Sequence, residues 1–303
     1  MLNTLLEDQA GDVLKKFRYG RKKSLKEVAG LTGLPADLLR SLESGERVPE
    51  PSQLVTLGEI LGFDGAEMAS LHLHPEATPE VSAPPDFLPV QESFGGYAVW
   101  CTVLRHPEDP HKALLVDTGG GGSILRETLR SRDLRIEGIL LTHGHGDHGG
   151  GFVGLLPGDD VPVLLSRKDR PLLPEAALYT GPLLSPEEGC RELVRKGWRI
   201  EVTEAPGHTP GSVAYYTEGV LFVGDTLFCG SAGRSDTPDD FPTQLDSIHR
   251  LVSGYPPDTV IISGHGPFTT IAREKSHNPF VRSREFQLGH SQKTEYNTRA
   301  EAR

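Results

Sequence analysis

The stretch Leu140-Leu-Thr-His143-Gly-His145-Gly-Asp147-His148-Gly149 decides how the chain is read. It follows an apolar run from Gly138 that reads as a short buried strand. Four metal-capable side chains, His143, His145, Asp147 and His148, then arrive within six residues. The intervening glycines argue against a helix and let the backbone fold tightly around an ion. Imidazoles at alternate positions can converge on one cation, and the Asp-His pair can face a second cation beside it. A lone His-x-His is most often two surface histidines, whereas four ligands in this spacing after a strand point to metal.

Working outward, other apolar runs end in the same kind of residue. Ala113–Val116 ends at Asp117, Val220–Val223 ends at Asp225, and Val260–Ile262 ends near His265. A strand with Ile200 and Val202 leads to Pro206-Gly-His208. Chemistry-bearing residues gathered at one end of several buried strands are how α/β and layered sheet proteins build their sites. Counting donors gives His143, His145 and His208 for one ion and Asp147, His148 and His265 for another. Asp225 has two oxygens and can bridge both. A hydroxide held between ions roughly 3.5–4 Å apart is a nucleophile at neutral pH. Such donors suit two divalent ions, zinc first, with iron or manganese accepted by the same set.

The pieces Thr142-His-Gly-His-Gly-Asp-His148, Ala205-Pro-Gly-His208-Thr-Pro-Gly211, Gly224-Asp225-Thr-Leu and Ser263-Gly-His265-Gly-Pro resemble the metallo-β-lactamase superfamily, in the family's order. The resemblance implies a layered α-β fold, the αβ/βα sandwich. It matches Asp117, in Leu-Val-Asp-Thr-Gly, to the family's aspartate that orients a histidine ligand. Asp225 stands where β-lactamases of the family carry Cys or Ser, which argues against that activity. The stretches Gly224 to Asp236 and Gly264-His-Gly-Pro-Phe-Thr-Thr-Ile look like the glyoxalase II group, which hydrolyses glutathione thioesters such as S-lactoylglutathione. That likeness implies a binuclear thioester hydrolase in which Asp147 helps hold the hydroxide. Arg282 and Arg284, in a context similar to the start of the group's C-terminal extension, are the expected substrate contacts. Two alternatives stay open: a persulfide dioxygenase with a single iron, and a transcriptional regulator whose metal domain senses a metabolite.

Residues 1–74 read as a small all-helical domain. Ser24 with Glu27 is a capping box, Gly33 ends that helix, Pro35 opens the next, and Ser52 can cap a fourth that Gly62 stops. Ser24-Leu-Lys-Glu-Val-Ala29, Thr32-Gly-Leu34, Leu42-Glu-Ser-Gly-Glu-Arg47 and Leu61-Gly62 resemble the Cro/repressor type of helix-turn-helix domain. The resemblance implies double-stranded DNA as a partner and, by analogy, a homodimer. The base-reading helix opens Pro35-Ala-Asp37-Leu38, and Asp37 repels phosphate. Lys15, Lys16, Arg18, Arg21, Lys22 and Lys23 form a basic run suited to phosphate contact. Yet residues 1–74 hold nine Lys+Arg against eleven Asp+Glu. His72 and His74 form a second His-x-His, read as surface histidines at a domain edge.

A proline-rich linker, 75–89, separates this domain from the metal domain, 90–280, and a polar tail, 281–303, follows. The net charge of -11 over 303 residues argues against a chain built mainly to coat nucleic acid. No apolar run approaches the ~20 residues of a membrane span. The first ten residues lack a signal peptide's basic start and apolar core, so a cytoplasmic protein is expected. Cys101, Cys190 and Cys229 are odd in number and far apart with no Cys-x-x-Cys, so neither a disulfide framework nor a thiolate zinc site is indicated, and Cys229 reads as a small buried hydrophobe. Arg234 is expected to brace the Asp225 loop through Asp236.

Overall fold

The computed structural model describes residues 6–75, 80–156, 158 and 160–283. Five helices come first: α1 (Ala10–Gly20), α2 (Leu25–Thr32), α3 (Ala36–Glu43), α4 (Pro51–Leu61) and α5 (Gly65–His72). The capping box forms as expected, with Glu27 N–H donating to Ser24 Oγ at 3.2 Å and Ser24 N–H donating to Glu27 Oε2 at 2.7 Å. Helix α4 starts two residues earlier than expected, with Pro51 in its first turn and Glu50 rather than Ser52 as its N-cap.

Two sheets follow. The first orders β1 (Phe87–Phe94), β2 (Tyr97–Arg105), β3 (Lys112–Val116), β4 (Arg135–Leu140), β5 (Val163–Leu164) and β6 (Leu183–Leu184), with α6 (Ser123–Ser131) and α7 (Gly146–Gly149) inserted. After α8 (Pro186–Arg195) comes the second sheet, β7 (Glu201–Glu204), β8 (Val213–Thr217), β9 (Val220–Gly224), β10 (Val260–Ser263) and β11 (Thr269–Thr270). Helix α9 (Phe241–Gly254) precedes β10, and α10 (Ile271–His277) follows β11. Strand β1 begins inside the segment expected to be pure linker. Pro89 is tolerated there because β1 is the sheet's edge strand.

Strand alternation sorts the apolar residues into layers. In β3, Leu114 and Val116 join the core between the sheets, while Ala113 and Leu115 face the α6 side. In β9, Val220 and Phe222 point between the sheets, while Leu221 and Val223 point outward. Both faces of each sheet are covered, so these central strands read as unbroken apolar runs.

The outer face of the second sheet carries α9, and against it packs the whole N-terminal domain. One apolar core contains Val13, Leu14 and Phe17 of α1, Leu54 and Leu57 of α4, Leu245 and Ile248 of α9, and Phe280. The Phe17 ring stacks on Phe280 at 4.5 Å and meets Phe241 edge-on at 5.6 Å. All three are buried, worth roughly 1.5–3 kcal/mol each in transfer free energy. Polar links add to this: Arg282 to Asp64 at 2.8 Å, His277 to Glu67 at 3.1 Å, and Lys22 to Asp239. The proline-rich segment therefore joins two regions that share a core. Among the described residues no helix is long and apolar enough to cross a membrane.

Candidate metal centre

The C-terminal ends of the strands deliver their residues to one cleft. Strand β3 leads to Asp117, β4 to the His143 loop, β7 to His208, β9 to Asp225 and β10 to His265. Contrary to the expectation from its glycines, the segment after His145 makes one helical turn, α7, with Gly149 N–H donating to His145 O at 2.9 Å. That turn carries Asp147 and His148 back toward the cleft.

The ring nitrogens then converge. His143 Nε2 lies 3.1 Å from His145 Nδ1, and His208 Nε2 lies 3.1 Å from the same atom. On the other side His265 Nε2 lies 3.3 Å from Asp147 Oδ2, and His148 Nε2 is 3.8 Å from it. Asp225 stands between the two trios: Oδ1 is 3.2 Å from His148, and Oδ2 is 3.6 Å from both His208 and His265.

The outer nitrogens are tethered. His148 Nδ1 donates to Asp117 at 2.8 Å, His208 Nδ1 to Arg234 O at 2.8 Å, and His265 Nδ1 to Ala98 O at 2.6 Å. His143 Nδ1 lies 3.1 Å from Thr142 Oγ1, whose hydroxyl donates to Asp117. Each of these four rings thus turns Nε2 inward, while His145 presents Nδ1. Asp117 is held at φ +56°, a strained value for a non-glycine, and its carboxylate also accepts the Thr142 N–H at 2.8 Å. Gly264 is required by close approach, since a Cβ there would sit 2.3 Å from Asp225 Oδ1 and from His148.

This donor set fits divalent cations. His148 Nε2 and Asp225 Oδ1 are buried without a hydrogen-bond partner, which is costly unless a cation takes the lone pairs. Three groups have donor atoms close enough to share an ion: His143, His145 and His208; His143, His148 and Asp225; Asp147, His148 and His265. Burial opposes ionisation of Asp225, but the surrounding His148, His265 and His208 outweigh it and hold its carboxyl well below the usual range. Burial likewise opposes ionisation of Asp147, and the hydrogen bond with His265 together with the nearby His148 outweighs it. Burial, reinforced by neighbouring His148 and His208, keeps His143 neutral. The ionised carboxylates and neutral His143 are in the states a divalent ion needs, whereas, against burial, Asp225 and Asp117 hold His148 above its ordinary value, and a bound cation would take the place of its proton.

One organising residue escaped the sequence reading. Asp169 is fully buried and accepts from Gly144 N–H at 3.0 Å, Thr209 Oγ1 at 2.6 Å and Gly211 N–H at 2.7 Å. It ties the His143–His145 turn to the His208 loop. The signal was present: the apolar run Val163–Leu165 also ends in polar residues reaching Asp169.

Other expected residues lie elsewhere. Arg282 bonds Asp64 at the junction with the N-terminal domain, and Arg284 lies outside the described residues. Arg234 places its guanidinium over Tyr19 at 5.7 Å rather than bracing through Asp236. Cys229 is buried, as expected. His72 is also buried, bonded to Gly230 O at 2.9 Å, because α5 docks on the metal domain instead of ending at a free edge. The basic run is largely drawn inward. Lys16 bonds Asp8 and Ala232 O, Arg18 bonds Glu43 and Lys23 O, Arg21 bonds Leu61 O and covers Phe241, and Lys22 pairs with Asp239. Lys15 and Lys22 are exposed, the latter in a surface pair, and Lys23 is half-buried.

Comparison with known proteins agrees with this geometry. The family model described as metallo-beta-lactamase superfamily matches residues 94–265, and one described as helix-turn-helix domain matches residues 9–71. The hydroxyacylglutathione hydrolase GloC of Haemophilus influenzae is 35% identical over 192 residues, covering 58% of this chain and 91% of that protein. Among solved structures, the BLEG-1 B3 metallo-beta-lactamase is 32% identical with TM-score 0.52, over 64% of this chain and 99% of its own. The protein TTHA1623, solved in a di-iron-bound form, is 32% identical with TM-score 0.51, over 64% and 99%. The chain thus belongs to the metallo-beta-lactamase superfamily and carries an N-terminal helix-turn-helix domain.

Proposed function

We propose that the protein is a binuclear thioester hydrolase of the hydroxyacylglutathione hydrolase type. The observation that carries this reading is the pair of donor trios with the Asp225 carboxylate between them. The likeness to GloC, over nearly all of that protein, supports the thioester as substrate class. His143, His145 and His208 would hold one ion, Asp147, His148 and His265 the other, and Asp225 would bridge. The ions, when bound, supply a nucleophile at neutral pH and polarise the acyl carbonyl.

The chain's own residues do the remaining work. Asp117 keeps His148 in the tautomer that faces the cleft. Asp147 is the most exposed of the cleft carboxylates and stays ionised, so it can hold a proton of the attacking water. The thiolate is a good leaving group, so no separate acid is required. Exposed Phe94 and Tyr97, at the β1–β2 turn beside Gly146, offer an apolar wall for the substrate.

Metal analysis beside an S-lactoylglutathione hydrolysis assay tests the reading. About two ions per chain with turnover is the expected result, by the two-metal stoichiometry of such sites. Two ions without turnover of that or any simpler thioester would overturn it, and a single iron with oxygen consumption would favour the dioxygenase.

For the N-terminal domain we propose duplex DNA as partner, read by α3. Its exposed Asp37–Arg40 pair leaves little sequence-reading chemistry, and the inward-drawn basic run lowers the phosphate contribution. Fluorescence anisotropy with duplex DNA at varied salt should show weak binding with a shallow salt slope. No binding at low salt would remove DNA as the partner.

A further inference from the structure

We propose that Asp8 and Lys16 of the N-terminal domain are positioning residues for the metal centre, acting through the loop that carries Asp225. This rests on reading the cluster as a two-metal site. After Asp225 the chain runs Thr226 to Gly233 as a fully buried loop and then returns to the cleft. Gly233 N–H donates to Asp225 O at 2.9 Å, and Arg234 O accepts from His208 at 2.8 Å. The loop's shape therefore sets the place of the bridging carboxylate and the tautomer of His208.

Two walls hold this loop. On one side Asn278, just after α10, donates to Phe228 O at 3.2 Å and Ser231 O at 2.8 Å, and Glu274 accepts Gly230 N–H at 3.0 Å. The other wall is the N-terminal domain. Asp8 accepts from both Lys16 Nζ and Ser231 Oγ. Lys16 also donates to Ala232 O at 2.7 Å and lies over the Phe228 ring at 5.3 Å. Phe228 in turn meets His265 edge-on at 5.9 Å. The neighbouring Glu7 packs its backbone on Gly266, next to His265, where a Cβ would come within 3.2 Å of the Glu7 nitrogen.

The placement is specific. Domain docking is already provided by Phe17, Phe241 and Phe280, and a sequestered charge pair adds little net stability to such an apolar contact. What the Asp8–Lys16 pair does add is direction: it reaches three residues of the ligand loop, Phe228, Ser231 and Ala232. Geometry at the metal centre is thereby a property of both domains.

The test uses the full chain with cobalt(II) as probe, read by its visible absorption and by competition with a chelator. Asp8→Asn and Lys16→Met should weaken cobalt affinity about 10-fold or more, the range found when outer partners of metal ligands are removed. The absorption band should shift, and kcat should fall with KM little changed. Lys16→Arg should restore most of the affinity. Ser231→Ala, a milder change, should move the band without unfolding the chain. Phe17→Leu loosens the apolar domain contact without removing a hydrogen bond to the loop and should leave the band where it is. The idea is overturned if folded Asp8→Asn and Ser231→Ala keep the wild-type band and affinity, or if Phe17→Leu shifts them equally. Wild-type protein that takes up no cobalt would instead remove the metal-centre reading, and this inference with it.

Discussion

The chain contains two His-x-His pairs, and they meet opposite fates. His143 and His145 sit after a buried parallel strand, beside the ends of four others, and their ring nitrogens meet with His208. His72 ends a helix with His74 just beyond it, and His72 turns into the junction between domains to donate to Gly230 O. Burial lowers the affinity of His72 for a proton, so it serves there as a neutral donor. The same tripeptide pattern thus makes a pair of candidate ligands or a structural clamp. What differs is the number of other donors that the fold brings within reach.

The sharpest way to break the comparison is to remove one member of the first pair. His145→Ala should lose metal and activity together, about 1,000-fold or more in kcat/KM, equivalent to about 4 kcal/mol of transition-state stabilisation. The N-terminal helices should stay folded by circular dichroism. Retained activity at full metal content would dismantle the site assignment.

Next in size is the shared core that gives His72 its role. Phe17→Ala should cost about 3–5 kcal/mol, measured as a lower midpoint in urea unfolding. A loss below 1 kcal/mol would mean that the two domains do not unfold as partners. Smaller again is His72 itself. His72→Leu leaves the buried Gly230 carbonyl without its donor and should cost about 1–3 kcal/mol. His72→Gln, which can still donate, should recover most of that and leave metal content unchanged. A drop in bound metal for His72→Gln would show that the two pairs are less different than the geometry says.

The smallest expected effect is acid sensitivity at the same junction. Burial raises the Asp64 carboxyl, but the hydrogen bond from Arg282 and the backbone N–H groups of Glu67 and Ala66 together outweigh it, and the group lies below its ordinary 3.8. A depressed carboxyl contributes stability above its unfolded pKa and loses it as pH falls through the folded value. Arg282→Ala should therefore flatten the dependence of unfolding free energy on pH below about 4, with little change at neutral pH. An unchanged acid limb would mean that the Asp64–Arg282 pair contributes nothing to docking.

Much of the site was legible because ligand chemistry is local. His143, His145, Asp147 and His148 lie in one short segment, and His208, Asp225 and His265 each follow an apolar run. Asp117 was found the same way. Asp169 was missed because its role is to join two loops, Gly144 and Gly211, far apart in sequence. The α7 turn was missed because the glycines' weak helix propensity was overridden by a single turn anchored on His145 O.

What the amino-acid sequence determined alone is the set of elements and donors: capped helices, strand runs of alternating face, and seven metal-capable side chains at strand ends. These follow from periodicity and from side-chain chemistry, which neighbours in sequence settle. The tertiary structure alone decided that the helix-turn-helix domain shares a core with the hydrolase. It also decided that Lys16, Arg21 and His72 face inward, and that Arg282 holds Asp64. Those outcomes depend on which surfaces meet, and an apolar side chain such as Phe17 carries no label for its partner. Hydrophobic burial is non-directional, so the partner is chosen by shape once the whole chain has collapsed.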